Sequence, residues 1–201
     1  MKRLVYGVGI YEKGKYKAKI NGKTTKEYNT WCSILERCYS PRYHMKRPTY
    51  IGCEICDEWK YFQIFAEWYN QNFYTIEGER IELDKDILFK GNKIYSPNNS
   101  IFVPRAINNL LTKHGRKRGK SPIGVCWYER YNKWLVQCWD GKGKQKTLGY
   151  FDTKEEAFQV YKTFKEKVIK EVIESYEDKI PGLIYIKLYK ALLNYQVEIN
   201  D

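Results

Sequence analysis

The chain has 201 residues, 43% of them hydrophobic and 16% aromatic, which is enough to bury one or two cores and too apolar for a disordered segment. Its formal charge is +12, from 36 basic and 24 acidic residues, a balance that points to an anionic partner. No apolar run approaches membrane-spanning length and residues 1–20 lack a signal-peptide apolar segment, so the expected setting is intracellular, with no membrane partner and six reduced thiols.

The charge is unevenly spread. Residues 1–30 carry a net +6 and residues 105–150 a net +9, whereas residues 31–104 give −1 and residues 151–201 give −2. Residues 3–21 read as a β-hairpin, because Leu4, Tyr6 and Val8 alternate, Gly14 marks a turn, and Tyr16, Ala18 and Ile20 alternate again. Residues 27–38 read as a helix that buries Trp31, Ile34, Leu35 and Cys38, followed by a polar loop from Ser40 to Thr49. A second helix is expected over 58–70, with Trp59, Phe62, Phe65, Ala66 and Tyr69 inward. Residues 81–104 read as a short strand, a polar loop holding Gly91 and Pro97, and a second strand at Ile101–Val103. KHGRKRGK (113–120) reads as a basic linker.

Three short strands follow, over 124–129, 133–139 and 144–150, with turns at Asn132 and at Gly141–Gly143. Thr153 and Glu156 fit a capping box opening a long helix, with Ala157, Tyr161, Phe164, Val168 and Val172 as its apolar stripe. Pro181-Gly182 ends that region, and a last helix over about 183–195 carries Leu183, Ile186, Leu188, Leu192 and Tyr195. The expected fold class is α+β. The segments divide as 1–26, 27–112, 113–178 and 179–201. GVGIYEKGKYKAKI (7–20) and GVCWYERYNKWLVQC (124–138) echo each other as two basic hairpins.

Period-two alternation sorts the 133–139 strand into two faces. Trp134, Val136 and Cys138 share one face, which joins Val125 and Trp127 in a core. The other face gathers Tyr128, Gln137 and Trp139, with Arg130, Lys133, Lys142, Lys144 and Lys146 around it. Lys and Arg suit phosphates, Gln and Arg suit base edges, and Trp packs on sugar or a thymine methyl. GVCWYER, NKWLVQCW and TLGYFDTKEEAFQVY (147–161) resemble the plant APETALA2/ethylene-response-factor DNA-binding domain. That resemblance implies a three-stranded sheet on one helix that reads double-stranded DNA through Cys126, Tyr128, Arg130, Gln137, Trp139, Gln145 and Thr147. Several of these depart from the arginines and tryptophan of the plant members, so the plant sequence preference is not carried over. Arg116, Lys117, Arg118 and Lys120 of the linker would add phosphate contacts.

TWCSILERCY (30–39), PTYIGCEICDEWKYFQIFAEWY (48–69) and LDKDILFKGNKIYSPNNSIFVP (83–104) resemble bacteriophage relatives of HNH endonucleases, often joined to an APETALA2-type domain. The resemblance implies a ββα-metal region in which Asp84 and Asn99 hold Mg²⁺ or another divalent metal. Lys85 stands where those enzymes carry the general-base His, and at neutral pH an ordinary lysine is protonated and cannot accept a proton. Asp86 is then a candidate for metal holding or water activation. His44 and His114 could reach the site only through tertiary folding.

Two functions follow. One is a DNA-binding protein of phage or mobile-element type with a degenerate HNH-like centre that is only a scaffold, or a phosphate grip through Lys85. The other is a metal-dependent nuclease of homing type that nicks DNA. Cys53-x-x-Cys56 is a single pair, with Cys38, Cys32 and His44 as conceivable further ligands, and packing rather than zinc is expected of it. No small-molecule substrate is evident, and a monomer is expected.

Overall fold

The computed structural model describes residues 4–111 and 121–199. The fold is α+β, and the chain divides into two units at Val103/Pro104. The linker residues Arg116, Lys117, Arg118 and Lys120, with His114, lie outside the described residues.

In the N-terminal unit, helix α1 (Lys26–Tyr39) turns Trp31, Ile34, Leu35 and Cys38 inward at the spacing the sequence predicts. Helix α3 (Phe62–Asn72) meets it with Phe62, Phe65, Ala66 and Tyr69. The helix expected over 58–70 is divided. Glu58–Lys60 form a 3₁₀ turn and Tyr61 is extended, because the Ile10 N–H donates to the Lys60 carbonyl at 2.7 Å and the Phe62 N–H donates to the Ile10 carbonyl at 3.0 Å. The loop expected from Ser40 to Thr49 contains a short helix, α2 (Pro41–Lys46). Pro41 opens it and the Ser40 hydroxyl accepts from the Tyr43 N–H at 3.3 Å.

The hairpin expected over 3–21 does not form. Tyr6 and Gly7 both have positive φ (50° and 79°), which turns the chain back at once and leaves only a Val5–Gly9 bridge. Pairing begins later, between β1 (Lys19–Ile20) and β2 (Lys23–Thr24), about Asn21 and Gly22 at φ 49° and 75°, the left-handed pair that a two-residue hairpin turn needs. The echo between 7–20 and 124–138 is therefore one of sequence and not of local structure. Short strands complete the unit: β3 (Glu54–Ile55) runs parallel to β5 (Ile94–Tyr95), and β4 (Ile81–Asp84) pairs with β6 (Ile101–Pro104).

The C-terminal unit begins with helix α4 (Arg105–Leu110), which buries Ile107. It holds an antiparallel sheet of β7 (Val125–Tyr128), β8 (Lys133–Trp139) and β9 (Gln145–Phe151), in that order. Helix α5 (Lys154–Glu174) backs the sheet, with the Thr153 hydroxyl accepting from the Glu156 N–H at 3.2 Å as the capping pattern predicts. Helix α6 (Gly182–Leu193) packs on α5. Its buried positions are Tyr185, Leu188 and Leu192, whereas Leu183 and Ile186, expected inward, are exposed. The buried stripe at 185, 188 and 192 keeps helical spacing but lies on another face of the helix that packs on α5.

No helix among the described residues is long and apolar enough to cross a membrane.

Candidate functional site

The three-stranded sheet has one face against α5, and most residues of the other face are at least partly exposed. Val125 and Val136, paired across β7 and β8, are buried on the helix side, as is Cys138 beside Tyr161. At Gly124, φ is +72° and an added Cβ would overlap the Tyr161 ring, so the close approach of β7 to α5 needs glycine there. The register jumps between Val136 and Gln137: Val136 pairs with Gly149, Gln137 with Thr147, and Leu148 is the extra residue. The bulge keeps Gln145 and Thr147 on the same side as Gln137 and Trp139.

The outer face therefore carries Cys126, Tyr128, Leu135, Gln137, Trp139, Gln145, Thr147 and Tyr150. Only Leu135 among them is buried, and Trp139 is 55% exposed. The polar residues form a chain of their own. Gln145 Nε2 donates to Gln137 Oε1 and Gln137 Nε2 donates to Thr147 Oγ1, both at 3.4 Å. At the other end Tyr128, Tyr131 and Tyr150 make an aromatic cluster with centroids 4.9 to 5.5 Å apart, and the Arg130 guanidinium stands 5.7 Å from the Tyr131 ring.

The basic residues flank this face unequally. Arg130, Lys142 and Lys144 are exposed. The Asp140 carboxylate beside the last two accepts from the Lys144 and Lys142 backbone N–H groups, which hold its pKa below the usual carboxylate range and build the turn. Lys133 pairs with Asp152 at 3.0 Å. Lys146 points to the helix side, its ammonium 6.0 Å from the Phe164 ring. Trp127, expected in the core, is 43% exposed, and Trp134 is half-buried. The two rings meet edge-on at 5.0 Å at the end of the sheet, where α5 only begins and Lys154 stands 4.7 Å over Trp134.

The second group of expected residues lies in the N-terminal unit, at the end of β4. Asp84 Oδ1 accepts from the Asp86 and Ile87 N–H groups, both at 2.8 Å, so the chain turns sharply after β4. Lys85 is buried. Its ammonium donates to the Asn92 carbonyl at 2.8 Å and to Asp86 Oδ2 at 3.3 Å, and it stands 6.0 Å from the Tyr95 ring. Asn92 closes the loop through Nδ2, which donates to the Lys85 and Ile94 carbonyls at 2.6 and 2.7 Å. Asn99 Nδ2 donates to Asn92 Oδ1 at 3.3 Å. Burial, and next the nearby Asp86 charge, push the Asp84 carboxyl up to about 6.

Asp84, Lys85, Asp86 and Asn99 thus belong to one hydrogen-bonded network, and Asn92 joins them. The sequence alone does not single out Asn92, although Lys90-Gly91-Asn92 carries the composition of a turn that must be held. His44 is committed elsewhere, with Nε2 at 2.8 Å from the Arg37 carbonyl. Among the described residues no group of three or more His, Cys, Asp or Glu is placed to hold a metal. Cys38 and Cys53 are buried in the core, and Cys32 and Cys56 pack against it. Burial pushes the thiols of Cys32, Cys38 and Cys56 up, which suits packing. Comparison with protein-family models, with curated proteins and with solved structures gives no match.

Proposed function

We propose that the chain binds double-stranded DNA through the outer face of the β7–β8–β9 sheet, and that the loop after β4 is an HNH-like centre without its base, in a protein of phage or mobile-element type. The observation that carries the binding reading is the composition of that face: polar amides and aromatics in the middle, and Arg130, Lys142 and Lys144 exposed at its ends. Three strands at the usual spacing span about 10 Å between the outer two, and the seven residues of β8 run about 23 Å. Such a slab matches a major groove roughly 12 Å wide. Arg130, Lys142 and Lys144 would hold phosphates and fix the register, while Gln137, Trp139, Gln145 and Thr147 face the base edges. Lys13, Lys17, Lys19 and Lys23 in the N-terminal unit are also exposed and add to the attraction.

The test is an anisotropy titration of the full chain against a duplex of about 20 base pairs. A phosphate-led complex loses affinity linearly in log salt, by roughly 0.9 decade per decade of salt for each phosphate neutralised. Binding that ignores salt, or no binding at about 50 mM salt, rejects the reading.

A second reading, metal-dependent nicking, is favoured by the two carboxylates after β4. Asp84 and the Asn99 amide oxygen would hold a divalent cation, with water and phosphate oxygens as further ligands, as suits a magnesium site built on few protein groups. Such an ion supplies stabilisation of charge on the scissile phosphate and its leaving oxygen. The chain's own groups do less. Lys85 is buried and its ammonium already donates to Asn92 and Asp86, so it is not placed to take a proton from water, and a phosphate would have to displace Asp86 to be gripped by it. Asp86, exposed and two residues from Asp84, is the remaining acceptor. Incubation of supercoiled plasmid with the chain and magnesium or manganese decides between the readings. Nicking that disappears in Asp84→Ala establishes the enzyme.

A further inference from the structure

We infer that the sheet selects A·T base pairs in the major groove, through the amides of Gln137 and Gln145; this rests on the DNA-binding reading above. The outer face contains no arginine placed to read guanine. Arg130 lies in the turn after β7 and rests against Tyr131, and Lys133 is paired with Asp152. The remaining outward positions of the three strands carry no charge. Guanine presents two acceptors, O6 and N7, and is matched by the twin donors of arginine or by lysine. Adenine presents an acceptor, N7, beside a donor, the N6 amine. A carboxamide, with one N–H₂ and one C=O, is its complement.

The two glutamines that could supply this edge are neighbours on adjoining strands. The chain from Gln145 to Gln137 to Thr147 fixes the orientation of the central amide, because the Gln137 oxygen already accepts from one partner while its nitrogen donates to the next. One lone pair of that oxygen and one N–H of that nitrogen remain for a base. An amide held this way loses less side-chain freedom on binding than a solvated glutamine would. Trp139, register partner of Gln145 and more than half exposed, stands beside the amides as an apolar surface for thymine's C5-methyl, the apolar group among the base edges of the major groove. Adenine readers and a methyl contact side by side describe an A·T step.

The test uses the full chain and two duplexes with identical ends, one with an A·T core and one with a G·C core. The A·T core should bind about tenfold or more tightly, the ratio that one well-made bidentate adenine contact gives. Replacing adenine by 7-deazaadenine, which removes N7, should abolish most of that ratio, and replacing thymine by uracil should remove a smaller share. Gln137→Ala with Gln145→Ala should bring the two cores to within about twofold while leaving the salt dependence and the melting temperature unchanged. Equal binding of the two cores by the native chain overturns the inference and leaves DNA binding standing. So does a preference that survives either the deaza substitution or the double variant, since groove shape would then be what is read. Failure to bind either core overturns the parent reading and this inference together.

Discussion

Asp84→Asn should make the N-terminal unit more stable at neutral pH. The Asp84 carboxyl is pushed up to about 6 by burial and by Asp86, so its charged form is disfavoured in the folded chain. The sign follows from linkage. The folded pKa lies above the unfolded value near 3.9, so the carboxyl favours folding below about pH 4. That advantage is lost as pH rises from about 4 through 6. A full shift of this size corresponds to somewhat under 3 kcal/mol at about 1.36 kcal/mol per unit. The solvent around Asp86 and the Lys85 ammonium beside it return part of that, leaving a gain of about 1–2 kcal/mol for the neutral amide. Asparagine keeps the oxygen that accepts from the Asp86 and Ile87 N–H groups, so the turn survives. For a unit of about 100 residues the gain is roughly 5–10 °C in melting temperature. Melting curves of the native chain and the variant between about pH 4 and 8 should coincide near pH 4 and separate above about pH 6. A variant that melts lower at pH 7, or a difference that does not change with pH, refutes the argument.

Lys85→His should lower the melting temperature of the same unit, because a shorter imidazole cannot bond both Asn92 and Asp86 as the ammonium does. Removing one charge-assisted bond alone costs about 1.5–3 kcal/mol, and an unchanged melting temperature would show that the loop does not depend on it. Trp139→Ala should weaken duplex binding with stability changed by no more than about 0.5 kcal/mol. Trp134→Ala should cost about 2 kcal/mol, less than a fully buried tryptophan, because its ring is only half-buried, against Trp127 and under Lys154 at the end of the sheet; equal melting of the two variants would count against these faces. Gly124→Ala should cost about 2–5 kcal/mol in the C-terminal unit, from left-handed backbone strain plus overlap with Tyr161, read from thermal melting of that unit. Changing Lys13, Lys17, Lys19 and Lys23 together to glutamine should leave melting unaffected and flatten the salt dependence of binding, its log–log slope falling by roughly 0.9 for each phosphate no longer neutralised.

Where a single helix face or a cap decides the structure, the sequence is easy to read. Trp31, Ile34, Leu35 and Cys38 return at helical spacing and are all buried, and Thr153 caps α5 as Glu156 suggests. Alternation is a weaker guide. Leu4, Tyr6 and Val8 alternate, yet two successive positive φ values fold that stretch into a turn; the Asn21-Gly22 pair is the better hairpin signal. The 58–70 pattern is helical throughout, but a tertiary bridge from Ile10 outweighs one turn of helix at Tyr61. Trp127 and Trp134 alternate correctly toward the helix side. What alternation cannot tell is that α5 begins too late to cover them. Around Asp84 the residue types are legible and their partners are not, since Asn92 connects to them only across a folded loop.

The two groups of functional candidates differ in what folding leaves over. In the loop after β4, Asp84 is tied to two backbone N–H groups, Lys85 to Asn92 and Asp86, and Asn99 to Asn92. Asp84 Oδ1, the Lys85 ammonium and the Asn99 amide nitrogen each have a structural employment there, and a ligand for any of these must displace an existing partner. On the outer sheet face the situation is reversed. The core is complete without Gln137, Trp139, Gln145 or Thr147, and the bonds among the polar three run between neighbours on the same face at 3.4 Å. An exposed tryptophan on a strand costs solubility and contributes little packing, so its presence beside an aligned amide pair calls for a partner in a way that the self-satisfied loop does not. That asymmetry is why binding through the sheet ranks above chemistry at Asp84. It also sets the order of experiments: duplex binding is measured first and nicking second, because Lys85 is already held by Asn92 and Asp86.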